Sequence, residues 1–395
     1  MDAIKIENLD VVFGHQQEQA LAQLDQGKSR QEIIDETGQV VGVDNVSLNI
    51  KQGEICVLMG LSGSGKSSLL RAVNGLNAIS RGSLKIKDGD DMVELANCDE
   101  QTLRNLRTHR VSMVFQKFAL MPWLTVLDNV AFGLEMQGIG KAERRKKARE
   151  QLEMVGLSEW ESKFPHELSG GMQQRVGLAR AFAMDTDILL MDEPFSALDP
   201  LIRAQLQDEL IQLQEKLNKT ILFVSHDLDE ALKIGNNIAI MESGKLIQHG
   251  KPEQIILAPE NDYVADFVAH TNPLNVLKGR SLMQASTELK QLNDRVLVCA
   301  DKQIWVEQES KGLALLDSDK SLVNWESDST TLDDIGENTV VQANPDISMR
   351  MAVELKQRSN QPILLVEESK LVGVLSDNEL YDALLGNFKS NQVVS

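Results

Sequence analysis

Gly60, Gly65, Lys66 and Ser67 stand in the spacing G-x-x-x-x-G-K-S, with Leu61, Ser62, Gly63 and Ser64 between them. Such a loop can curl backbone N–H groups around an anion, and a helix opening at its end adds partial positive charge. The lysine can reach the β- and γ-phosphates of a nucleotide, and the hydroxyl beside it can hold a magnesium ion. Asp192 and Glu193 follow the apolar run 188–191. The first is placed to hold Mg²⁺ from across a sheet, the second to orient or deprotonate an attacking water. Gln116 and His226 also stand near the ends of apolar runs. Gln116 can sense a γ-phosphate through metal and water, but alone it is equally an ordinary polar strand end. A lone histidine at a strand end is more often structural than catalytic.

This chemistry needs a strand before the loop and a helix after it. Ile55, Cys56, Val57, Leu58 and Met59 form the apolar run of a buried parallel strand, and residues 68–73 can start a helix. Runs at 111–115, 188–191 and 220–224 read as further core strands. Between them lie helical patterns at 141–155, 167–184 and along the stripe Leu206, Leu210, Leu213 and Leu217. Strands alternating with helices, each strand ending at a polar residue, imply an α/β fold. Its mostly parallel sheet would carry the site at the strands' carboxyl ends. Residues 4–12 alternate as an edge or half-buried strand should. An insert at 15–42 reads as two short helices, the second opened by a capping box at Ser29 and Glu32 and stopped at Gly38.

With 395 residues the chain is long for one core, and two domains are expected. A net charge of −19 argues against nucleic acid as a partner, because such binding rests on neutralising phosphates. Cys56, Cys98 and Cys299 share no metal-ligand or redox spacing, which fits structural thiols in a reducing cytosol. The most apolar stretch, 118–127, contains a proline and is about half the length a membrane span needs. The basic cluster Arg144, Arg145, Lys146, Lys147 and Arg149 reads as a solvated helix face or a contact for anionic headgroups. Composition shifts after Pro273, which divides the chain into 1–272 and 273–395. The tail carries more acid than base, with a helix at 348–358, strands at 362–366 and 371–375, and a last helix capped from Ser376.

The stretch Leu168, Ser169, Gly170, Gly171, Met172 and Gln173 brings these parts together. Residues 1–272 resemble the ATP-binding subunits of ABC transporters, with their motifs in the family's order. The resemblance implies a P-loop ABC ATPase core with a helical signature subdomain, binding ATP through residues 60–68, including Ser68, and Mg²⁺ through Ser67, Gln116 and Asp192. It makes Gln116 the Q-loop residue, Ser196 and Asp199 part of the D-loop, and His226 the switch histidine beside the base Glu193. Ser169, Gly170, Gly171 and Gln173 would cap ATP held by a second subunit in a homodimer. Phe13 is the candidate for stacking on adenine, with a core or edge-strand residue as the alternative. The insert, Asn74-Gly75-Leu76, the surroundings of Gln116 and residues 272–277 resemble the ATPases of quaternary-amine importers. Choline comes first and glycine betaine or another compatible solute second. A bacterial inner-membrane permease and a periplasmic or lipid-anchored binding protein are the implied partners.

Phe118, Leu120, Met121 and Trp123, just after the Q-loop residue, form an apolar loop that would dock the permease or be buried in the helical subdomain. Trp123, Trp160, Trp305 and Trp325 are too scattered to cage a quaternary ammonium and read as packing residues; any cage belongs to the binding protein. The tail resembles the paired nucleotide-sensing CBS modules, clearly at 340–388 and only weakly from 284. Where that family's ligand motif has aspartate three residues after a Ser or Thr, this chain has Glu379 after Ser376. Nucleotide sensing and a structural role in dimerisation both stay open for this α+β unit.

Overall fold

The computed structural model describes residues 1–385 except Ala197, His270, Pro273, Asn275, Asp294, Ser310, Lys311, Asp317, Ser318 and residues 327–329. Contacts divide the chain into Met1–Lys251 and Pro252–Ser395. The boundary thus falls ahead of the 272/273 junction marked by composition, and residues 252–268 pack with the tail.

The first unit opens with β1 (Asp2–Phe13), the insert helices α1 (Gln17–Asp25) and α2 (Arg30–Thr37), and β2 (Val40–Lys51). β3 (Ile55–Met59) is buried along its whole length and leads through the glycine loop to α3 (Lys66–Val73). β4 (Arg81–Asp88) and β5 (Asp91–Glu94) form a hairpin, followed by α4 (Glu100–His109) and β6 (Val111–Val114). Three helices come next: α5 (Val126–Met136), α6 (Lys141–Met154) and α7 (Gly170–Ala183). The remaining elements are β7 (Ile188–Asp192), α8 (Pro200–Leu217), β8 (Thr220–Val224), α9 (Leu228–Ile234), β9 (Asn237–Glu242) and β10 (Lys245–Gly250).

The six-stranded sheet runs β10-β9-β3-β8-β7-β6 and is parallel except at β10. A second sheet, β2-β1-β4-β5, is antiparallel. β1 is therefore an inner strand of its own sheet and not an edge strand. Alternation reports which face is buried, but in-plane neighbours leave no mark on it. Ile4, Ile6, Leu48 and Ile50 close over Cys56, Leu58, Leu69 and Leu222 in one core. α5, α6 and α7 enclose a separate core of Val130, Leu134, Ala148, Leu152, Val176 and Ala179. That is the helical subdomain.

The insert folds as its punctuation requires. Ser29 caps α2 with Glu32 reaching back, and Gly38 ends it in the left-handed region. Ile33 and Ala20 are fully buried against Val12 and Val41.

The second unit comprises α10 (Pro252–Leu257), α11 (Asp262–Val268), α12 (Gly279–Leu282), β11 (Gln284–Ala285), β12 (Gln291–Leu292), β13 (Arg295–Cys299), β14 (Ile304–Glu309), β15 (Gly312–Leu316) and β16 (Ser321–Asn324). β17 (Thr339–Ala343), α13 (Met349–Ser359), β18 (Ile363–Glu367), β19 (Lys370–Leu375) and α14 (Asp377–Leu384) complete it. Its sheets are β11-β19-β18-β17-β16 and the antiparallel β12-β13-β14-β15. Val298, Ile304 and Val306 of one sheet pack on Val340, Leu364 and Val374 of the other. The described part of 284–325 is strand and turn without an α-helix. The second unit thus has an α+β part, whose sheet β11 and β16 join, and an antiparallel part of β12–β15, in place of two like modules. Glu379 accepts from Ser376 N at 2.9 Å and from the Ser376 hydroxyl. Its carboxylate caps α14, and that engagement weighs against a ligand role for the pair.

Among the described residues, no helix is long and apolar enough to cross a membrane.

Candidate active site

The strand–loop–helix from β3 to α3 puts Lys66 and Ser67 in the first turn of α3. Gly60 lies at φ 140°, where a Cβ would come within 2.1 Å of the Met241 carbonyl oxygen, so only glycine fits. Lys66 Nζ donates to the carbonyls of Gly60 (2.7 Å) and Leu61 (3.0 Å). Burial lowers the pKa of this ammonium, while Glu193 and Asp192 oppose the shift.

Parallel pairing of β7 with β8 carries Asp192 to the same end of the sheet. It is 1% exposed, and both of its oxygens are engaged. Ser67 Oγ donates to Oδ1 at 2.8 Å and Arg71 NH2 to Oδ2 at 3.2 Å. Ser67 and Arg71 lie one turn apart on α3 and so share a face. A hydroxyl against a buried carboxylate is a hard-oxygen donor pair of the kind Mg²⁺ takes with phosphate oxygens. The residues fit that ion.

Glu193 sits at φ 48°, a strained conformation for a non-glycine residue and one that clusters at functional sites. Its Oε2 accepts from Gln116 Nε2 at 2.8 Å and lies 3.5 Å from His226 Nδ1. The Glu193 carbonyl accepts from Ser196 Oγ at 3.0 Å and from Gln174 Nε2 at 3.3 Å. Lys66, Ser67, Asp192, Glu193, Gln116 and His226 are therefore one connected cluster, drawn from positions between 66 and 226.

Other candidates stand apart from it. Ser169 caps α7 by accepting from Met172 N at 3.3 Å, and Gln173 bonds the Leu168 carbonyl; Ser169 and Gly170 are exposed. Asp199 caps α8 through Ile202 N at 3.1 Å, and Ala197, two residues before it, lies outside the described residues. Phe13 is 39% exposed at the end of β1, with its ring against Gly42 near Ser68. In the apolar loop Leu120 packs into the helical core and Met121 is half-buried, whereas Trp123 is 71% exposed and is not a packing residue.

Sequence reasoning missed three residues that organise the site. Arg71 and Gln174 each carry a signal, one being a turn beyond Ser67 and the other beside Gln173. Asn129 carries none. It is fully buried on α5, donates to the carbonyls of Met121, Leu124 and Thr125, and accepts from Met121 N.

Residues 43–196 match the family model described as ABC transporter. The chain is 42% identical over 392 residues to the glycine betaine transport ATP-binding protein OpuAA of Bacillus subtilis, covering 97% of this chain and 93% of that protein. It is 52% identical over 264 residues to the glycine betaine/proline betaine ATP-binding protein ProV of Escherichia coli, covering 67% of this chain and 65% of that one. The dimeric post-hydrolysis ATP-binding cassette MJ0796 bound to ADP and Pi superposes with a TM-score of 0.55 at 31% identity, covering 63% of this chain and 98% of that structure. With a glycine loop, the Ser67–Asp192 pair and a held carboxylate in one cluster, the chain belongs to the ATP-binding subunits of ABC transporters and is an ATPase of that family.

Proposed function

We propose that this chain energises uptake of glycine betaine or a closely related osmoprotectant, as the ATP-hydrolysing subunit of a membrane importer. Similarity to OpuAA across nearly the whole chain, insert and tail included, carries the substrate reading. Choline, placed first from sequence resemblance, moves behind glycine betaine, because both relatives are named for glycine betaine transport.

Hydrolysis rests on the Gln116–Glu193–His226 contacts. Glu193 accepts the proton of a water held beside the γ-phosphate, and His226 stands within reach of the same carboxylate oxygen. Lys66 and the loop N–H groups hold the phosphates. Ser67 and Asp192 would hold Mg²⁺, with Gln116 as a third contact; the ion supplies charge neutralisation for the leaving phosphate. The exposed Ser169 and Gly170 at the N-terminus of α7 would cap ATP bound to a second copy. Ser196 and Asp199 would meet at that dimer interface.

The exposed Trp123 fits docking to a permease at the cytoplasmic membrane face, with solute captured by a separate binding protein. The tail, which contains none of the phosphate-handling residues, is assigned to regulation or dimerisation.

The test is uptake of labelled glycine betaine and choline by cells carrying this subunit with its own permease and binding protein. Lys66-dependent glycine betaine uptake is expected. Uptake of choline alone would reverse the ranking, and uptake of neither would reject this substrate class.

A further inference from the structure

Arg30 opens α2 in the insert and reaches out of it to the phosphate loop, where NH1 donates to the Gly63 carbonyl at 3.0 Å. Neighbouring carbonyls of the loop are engaged as well, that of Leu61 also by Ser64 N at 3.1 Å. Gly60 and Leu61 are taken by Lys66, and Ser64 by Gly244 N at 2.9 Å. Carbonyl oxygens held by such donors leave the N–H ends of the same peptides for an anion. An arginine is charged at any working pH, so the Gly63 contact also sets a fixed cation against the loop. Its Nε is buried and has no acceptor among the described residues.

The arm is set in place by folding, before any nucleotide arrives. Ser29 and Glu32 cap α2, and Ile33 anchors it in the core with Val12, Ala20 and Val41. Gln23 donates to Glu36 at 2.8 Å, tying α1 to α2. Arg81 Nη1 donates to both Asp25 oxygens at 2.8 and 2.9 Å while its Nε holds the buried Asp10 at 2.6 Å. Burial lowers the Arg30 pKa and the Asp44 charge opposes that shift, while Asp44 donates its N–H to Gly244 O at 2.9 Å. Ordering cost is thereby met by the fold and not by the ligand.

We infer that Arg30 is a positioning residue for nucleotide binding, so that the insert serves as an affinity element for the phosphate loop. This rests on the ATP-site reading above. The test uses the full chain and Mg·ADP in calorimetric titration, with ATPase kinetics alongside. Arg30→Ala should weaken Mg·ADP binding about tenfold, as expected for losing a hydrogen bond to a charged group. The loss should appear in KM for ATP more than in kcat, at unchanged melting temperature. Arg30→Lys, which keeps the charge and loses the fork, should recover part of the affinity.

Mg·ADP affinity and KM within twofold of the parent in Arg30→Ala would overturn the inference. So would equal losses in both variants accompanied by a lower melting temperature, since that is the mark of a scaffold. Lys66→Ala separates the two levels. If it abolishes binding while Arg30→Ala is silent, only the Arg30 role fails; if it binds like the parent, the site reading itself fails.

Discussion

Gln116 Nε2 donates to Glu193 Oε2 at 2.8 Å across 77 residues of sequence. The residues proposed as γ-phosphate sensor and hydrolytic base thus share one hydrogen bond, on the same oxygen that His226 approaches. A carboxylate held at φ 48° and oriented by an amide is preorganised to receive a proton. Glu193→Gln should lower ATP turnover by about 10²-fold or more while leaving ATP binding intact. Steady-state hydrolysis by the reconstituted transporter, with nucleotide binding measured on the same preparation, checks this; near-parental turnover would reject Glu193 as the base.

Lys66 and Ser67 were legible from the loop spacing and Asp192 and Glu193 from the apolar run before them, whereas Gln116 and His226 were singled out only by the family resemblance. Parallel strands deliver such residues to one edge of the sheet. The helical insert was legible from Ser29, Glu32 and Gly38, where turn and cap chemistry is local. Asn129 was not. An asparagine in the middle of a helix carries no periodic or positional mark, and its four hydrogen bonds exist only once residues 121–125 fold back over α5. The place of β1 inside a sheet was hidden for a related reason, since neighbours within a sheet are set by topology and not by alternation. The two exposures in the apolar loop, Trp123 out and Leu120 in, depend on where the helical core closes.

Phe13 and Gly42 give a two-sided test of adenine stacking. A Cβ added at Gly42 would stand 2.6 Å from Phe13 Cε2, so Gly42→Ala must push the ring from its seat. Both Gly42→Ala and Phe13→Ala should weaken ATP binding several-fold, and Phe13→Tyr should restore it, in line with about 1–3 kcal/mol for a base stacked on an aromatic ring. Affinities measured by titration that are unchanged in Phe13→Ala would leave Phe13 as a packing residue against Gly42.

The loop after Gln116 is best probed at Trp123. Leu120 belongs to the helical core, so a charge there would damage folding before it reported on docking. Trp123→Ala should leave ATP binding and melting temperature unchanged while reducing transport and co-purification with the permease. Asn129→Ala should lower stability by about 1–3 kcal/mol because buried backbone groups of the loop lose their partner. Thermal melts and pull-downs on the two variants separate presentation of the loop from its contact surface. Parental transport and co-purification in Trp123→Ala would exclude that side chain from the interface.

Glu230 adds a pH dependence with a definite sign. It is buried just after β8, four residues beyond His226, accepting from Ser225 Oγ at 2.6 Å and from Gln207 Nε2 at 3.0 Å. Burial raises its pKa above the ordinary 4.5, with Asp227 adding to the shift, while the Ser225 and Gln207 hydrogen bonds and Arg203 oppose it. A folded state that holds this proton more tightly than the unfolded chain gains stability in full below the unfolded pKa and loses it as pH rises through the folded one. Glu230→Gln keeps the shape and cannot ionise. Its melting temperature should therefore decline less than the parent's as pH is raised from about 4.5, the ordinary carboxyl value, towards neutrality. Parallel thermal melts across that range decide the matter. Identical slopes for the two proteins would show that Glu230 ionises in the fold as readily as in the unfolded chain.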